Sequence, residues 1–175
     1  MLRLMLASPA GVPAVLTGRA VAASIVGFIQ GAVVLALAPF FVPVSPRNLA
    51  AALGALSLGS IVSSGFGLLV AARLRSVENF AGVINVVLFP LLFVSGALYP
   101  TEGMPPGLRL LARANPVTYQ VDLMRHAFGQ PTEIGLTTDI LVLTGSALVL
   151  LGLAALLFDP EQRFGGRGGS AAPAR

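Results

Sequence analysis

From Ala20 to Val42 the chain runs for twenty-three residues without a charged side chain. A bilayer core about 30 Å thick takes about twenty helical residues to cross, and inside it backbone amides must be satisfied within the protein. A run of this kind admits a membrane-spanning helix and little else. Similar runs cover residues 49–72, 80–98 and 140–158. The expected fold is therefore an all-α integral membrane protein with four transmembrane helices. Charged residues make up only 10% of the chain, against about 25% in soluble domains.

The side chains that are missing exclude several chemistries. All eleven basic residues are arginine, and there is no lysine. A phosphate-binding loop ending in Gly-Lys-Ser/Thr is impossible, so this chain is not an ATPase, and Schiff-base chemistry is excluded. Without cysteine there are no disulfides and no thiolate metal sites or nucleophile. The arginines are scattered between apolar runs rather than clustered on one face, which argues against a nucleic-acid partner. Arginine-only usage beside abundant Ala and Gly suggests a GC-rich bacterial genome. Ser63-Ser64-Gly65 has the look of an intramembrane protease serine, but the one histidine, His126, falls in a loop segment and not in another span. His126 alone supports no metal site, because the sequence groups no further ligands with it.

Within the spans, small residues recur at helical spacing. Gly27 and Gly31 flank Gln30, and Gly59, Ser63 and Gly67 mark one face of the second run; both sets suit close helix packing. Pro43 to Asn48 is a short turn, and Ser76 can cap the third helix. Pro90 removes a backbone donor from that helix and predicts a kink or break. Residues 99–137 are too structured for a plain connector. Gly107 to Ala114 forms a short interfacial helix with Arg109 and Arg113 on one stripe, and Asn115-Pro116 caps a second that stops at Gly129. These two external helices, about residues 107–128, are too short to cross and should lie at, or dip into, the outer interface. Asp122 lies three residues before Arg125 and four before His126, the spacing of a local helical ion pair. Residues 159–175 are Gly/Ala/Arg-rich and expected to be a disordered tail.

Arginine counting sets the orientation. With four spans both ends share a side, and that side holds Arg3, Arg19, Arg73, Arg75, Arg163, Arg167 and Arg175. The other holds Arg47, Arg109, Arg113 and Arg125. The excess favours both termini, tail included, in the cytoplasm and segment 99–137 outside.

The segment from Pro90 to Arg125 contains, in order, Phe93-Val94-Ser95-Gly96, Tyr99-Pro100, Met104-Pro105-Pro106, Asn115-Pro116-Val117-Thr118-Tyr119, Val121-Asp122 and Arg125. It resembles the signature of the ABC-2 type permeases, membrane subunits of ATP-driven exporters, and reads most like the drug-exporting (daunorubicin-resistance) branch. The resemblance implies a re-entrant external segment and outer gate built on Pro90, Ser95, Gly96, Pro100, Pro105, Asn115, Pro116, Tyr119, Asp122 and Arg125. It implies that Leu6-Ala7-Ser8-Pro9 and Leu16 belong to a cytoplasmic coupling segment, residues 1–19, that docks on the ATPase; an ordinary amphipathic leader is the alternative. On that alignment a leading amphipathic helix and two spans are expected upstream, so the start is misassigned or the copy truncated. The expected partners are cytoplasmic ABC ATPase subunits, which carry the ATP and Mg2+, a second permease subunit and the lipid of a bacterial plasma membrane. No cofactor is expected on this chain. The expected cargo is drug-like, lipid-like or glycan, since the spans carry Gln30, Asn85 and Thr144 but no charge. A non-transporting membrane scaffold, or a decayed permease copy, is the alternative function.

Overall fold

The computed structural model describes residues 12–73 and 77–157. They form six helices: α1 (Val12–Ala36), α2 (Pro46–Arg73), α3 (Val77–Val94), α4 (Pro106–Ala114), α5 (Pro116–Phe128) and α6 (Leu136–Leu157), with short 3-10 turns at Ala38–Phe40 and Thr101–Gly103. No strand occurs among the described residues.

Local chemistry places the helix ends. The first helix gives way to a tight turn at Pro39. At the start of α2, the Ser45 hydroxyl accepts the Asn48 amide at 3.2 Å and lies 2.8 Å from Asn48 Oδ1. Pro46 opens the helix where its missing N–H costs nothing. The short turn expected at 43–48 is thus a built N-cap. Gly129, at φ +66°, closes α5 with its N–H directed to the Arg125 and His126 carbonyls, as the sequence predicts.

Three helices among the described residues are long and apolar enough to cross a bilayer: Leu16–Phe40, Pro46–Ala72 and Leu136–Leu157. The third of the four expected runs, residues 80–98, falls on α3 and the turn that follows it. The helix α3 is 18 residues long, about 27 Å at 1.5 Å per residue, close to the thickness of a hydrocarbon core. Pro90 does not interrupt it, and helical geometry continues to Val94. The loss of one amide donor at Pro90 leaves the rest of the ladder in place. Segments 1–11, 74–76 and 158–175, with Leu6, Ala7, Ser8, Pro9, Ser76 and the tail, lie outside the described residues.

The core is built around α2. On one side Ala52 packs with Leu35 of α1 and Ala127 of α5. On the other, Ala55 and Val62 pack with Leu123 of α5 and with Leu143 and Ala147 of α6. Large apolar side chains such as Val34, Leu148 and Leu156 point outward and are at least two-thirds exposed, as surfaces facing lipid are.

Small residues set the helix separations, though not at every expected position. A methyl at Gly31 would overlap Leu56, and one at Gly27 would touch Ser60 at 3.8 Å. Gly59 is covered by Gln120 of α5. By contrast Gly67 faces open space and Ser63 is exposed. Among the described residues, the expected Gly59/Ser63/Gly67 face is therefore met by another helix only at Gly59. The neighbouring serines do the packing: Ser60 and Ser64 are buried, and the Ser64 and Ser24 hydroxyls lie 2.8 Å apart between α1 and α2.

Candidate functional site

The proline- and glycine-marked segment folds into one junction between the end of α3, the α4–α5 corner and the loop before α6. Its polar groups serve backbone atoms that the helix ends leave without partners. Past the last turn of α3, Ser95 N–H bonds to Leu92 O rather than to Leu91 O. Asn115 Nδ2 donates to the freed Leu91 carbonyl at 2.7 Å, while its Oδ1 accepts the Val117 amide at 3.0 Å. One asparagine, 3% exposed, thus caps the carboxyl end of α3 and the amino end of α5. Pro116 follows at the first helical position.

The other polar residues of Asn115-Pro116-Val117-Thr118-Tyr119 close α4. Thr118 Oγ1 donates to Ala112 O at 2.7 Å, and Tyr119 Oη to Arg113 O at 2.6 Å. These carbonyls lie in the last turn of α4. Pro105 and Pro106 begin that helix, with Arg109 reaching back to the Glu102 carbonyl.

Gly96 turns the chain away from α3 at φ +80°. A side chain there would be strained by backbone conformation and would meet the Thr101 methyl at 2.9 Å. The Gly96 carbonyl accepts from Arg125 Nη2 at 2.7 Å. Buried Ser95 donates to Leu92 O at 2.7 Å.

Arg125 also lies 3.7 Å from Glu133 and 3.9 Å from Asp122. Glu133 in turn accepts from both the amide and the hydroxyl of Thr101. Asp122 is 2% exposed, and its two oxygens accept the Glu133 and Ile134 amides at 3.1 and 3.0 Å. The local ion pair expected from spacing is the weaker part of its environment, because direct amide bonds to a buried carboxylate outweigh a 3.9 Å charge contact. Asp122 anchors the loop that leads into α6.

The structure thus brings Ser95, Gly96, Asn115, Pro116, Tyr119, Asp122 and Arg125 together. Pro90, Pro100 and Pro105 are exposed and shape the path without joining the network. Leu16, expected in a docking segment, lies in the early turns of α1 and is 7% exposed. Sequence reasoning missed Thr101, Glu133 and Asp139. The one available signal was that Glu133 and Asp139 are acidic groups flanking a short loop beside an apolar span.

Depth is the other property of the junction. Gln120 of α5 covers Gly59, thirteen residues into α2, or about 20 Å along its axis. Toward the start of α2 the same groove opens into a cavity of about 660 Å³ bordered by Arg47, Asn48, His126, Gly129 and Leu136. The helix α5 therefore does not lie flat on the bundle. It inserts beside α2 and α6, with Leu123 in their shared core.

Residues 1–128 match the family model for the ABC-2 type transporter. Nodulation protein J of Rhizobium leguminosarum bv. viciae is 30% identical over 81 residues, 46% of this chain and 31% of that protein. The version from Rhizobium leguminosarum bv. trifolii is 31% identical over 74 residues, 42% and 28% of the two chains. The ycf38 protein of Porphyra purpurea, named as a transport permease, is 33% identical over 75 residues, 43% of this chain and 25% of that protein. The matched stretch thus spans under a third of these relatives' length. No solved structure matches the chain. A multi-pass membrane protein of the permease class, the chain belongs to the ABC-2 type transporter family.

Proposed function

We propose that the chain works as the transmembrane subunit of an ATP-driven exporter, moving an amphiphilic, lipid-like cargo outward with energy from separate ATPase subunits. The observation that carries this reading is the α3–α5 junction, in which an apolar helix hands over to a helix inserted between two spans. Inside a bilayer such an interruption is tolerated where the freed backbone is covered by protein or lines a cavity, and here Asn115 and Arg125 cover it. Residues 80–98 then serve as the third of four spans, followed by the re-entrant pair α4–α5, which faces the outside. Both termini lie in the cytoplasm of a bacterial cell, and two permease subunits assemble around the cargo path. ATP and Mg2+ stay on the partner ATPase. Segment 6–9 supplies the docking contact, since Leu16 is turned into the protein. The spans carry no charge beyond their ends, which favours greasy cargo over ionic cargo.

A ligand biases such a machine only through different affinity for its inward and outward states. The junction is suited to that task because it ties the end of one helix to two others through single side chains. The reading is tested by co-expressing the full-length gene with its ATPase. Leu6→Asp should reduce co-purification of the ATPase and abolish ATP-dependent uptake of a fluorescent lipid into inverted vesicles. Unchanged recovery and uptake would refute it.

A further inference from the structure

We propose that Asp122, His126 and Asp139, with the Ile134 carbonyl, form a binding site for one divalent transition-metal ion of the zinc class. The sequence separates these groups, but the fold brings one ligand atom of each of the three side chains within 4.8 Å of the others. Around His126 Nε2 stand Ile134 O at 2.9 Å, Asp139 Oδ2 at 3.4 Å and Asp122 Oδ2 at 3.8 Å. Donors bound tetrahedrally at 2.0–2.2 Å from zinc are about 3.3–3.6 Å apart, and these three separations bracket that spacing.

A second observation points to a ligand. Asp139 is 0% exposed, and neither of its carboxylate oxygens has a hydrogen-bond partner. Buried polar groups are almost always satisfied, so a carboxylate aimed into the cluster without a donor asks for a cation. His126 does not supply the missing bond. Its Nε2 faces the Ile134 carbonyl, which can only accept, so the ring N–H is directed there. On metal binding that proton moves to Nδ1, and the Nε2 lone pair turns to the ion without net change in ring charge.

The division of labour at Asp122 fits as well. Its Oδ1 faces Arg125 and the Glu133 amide, whereas Oδ2 accepts only the Ile134 amide and has a second lone pair left on the side of His126. Two carboxylates balance a doubly charged ion. The ion reaches the site through the cavity at the start of α2, which His126 borders beside Arg47 and Asn48. Metal binding here is independent of the transport reading: a site of this kind would hold zinc whether or not the subunit moves cargo.

The experiment uses the full chain purified in detergent, stripped with EDTA, loaded with zinc chloride and dialysed. One zinc per chain by elemental analysis, with a raised melting temperature, is expected. Asp139→Asn and His126→Gln should each weaken retention by more than about tenfold. As a measurement on the unmutated protein, zinc-edge absorption should show a nitrogen/oxygen shell containing one imidazole. No zinc retained by the unmutated chain, retention by the two variants equal to that of the unmutated chain, or a shell lacking imidazole would each overturn the proposal.

Discussion

The side-chain amide of Asn115 reaches across the junction to the Leu91 carbonyl at 2.7 Å, so the end of α3 and the start of α5 share one residue. Its side-chain oxygen accepts the Val117 amide. Asn115→Ala should therefore lose an N-cap and strand a carbonyl, for a combined cost of about 2 kcal/mol or more. Thermal unfolding in detergent should show a clear drop, with the exposed control Gln130→Ala unchanged. Equal melting of the two variants would show that the shared cap contributes nothing.

Gly96 and Gly129 both adopt positive φ, but their surroundings differ. A Cβ at Gly129 enters open space, whereas at Gly96 it meets the Thr101 methyl at 2.9 Å. Each alanine substitution should cost about 1–2 kcal/mol for backbone conformation, with a further steric loss only at Gly96. Thr101→Ser, which removes that methyl, should recover part of the Gly96→Ala defect and none of the Gly129→Ala defect. Chemical denaturation of the four variants provides the comparison.

Gly31 and Gly67 are both glycines in long helices, and among the described residues only Gly31 makes a close approach. Gly31→Ala should push against Leu56 and lower stability, and Leu56→Ala should relieve it. Gly67→Ala should be neutral or gain up to about 1 kcal/mol from helix propensity. A Gly31→Ala variant that melts like the parent would remove the claim of tight α1–α2 contact.

Arg125 links the Gly96 carbonyl to Glu133 and Asp122. Lysine lacks the planar fork needed to hold these positions together. Arg125→Lys and Glu133→Gln should both destabilise, and a double-mutant cycle should return a coupling of about 1 kcal/mol, as expected for a partly exposed pair. Strict additivity would mean that the two residues act separately.

The absence of cysteine from the chain makes single-cysteine labelling free of background. With the proposed orientation, Arg113→Cys should react with an impermeant maleimide added to intact cells, and Arg19→Cys only after the cells are opened. The reverse pattern would invert the topology.

Much of this architecture is legible from one-dimensional patterns because lipid and helix ends impose local rules. Uncharged runs located α1, α2 and α6, and Asn115-Pro116 and Gly129 bounded α5 to within a residue. What escaped depends on contacts between distant segments. Nothing near Glu133 announces that it will hold Thr101, thirty-two positions away. Nothing near Asp139 announces that it will face His126 across a loop. Pro90 signals a kink or a break without saying which, and a helix can lose one hydrogen bond and continue. Ser63 and Gly67 share the spacing of Gly59, but spacing identifies a face without saying what covers it.

The seam between α1 and α2 has a mechanical consequence. Ser24 meets Ser64, Gly27 meets Ser60, and Gly31 receives Leu56, so the two rods are stitched at three heights. Neither can roll about its own axis without unpicking every stitch, and a tilt at one rod's foot must swing both as a single plank.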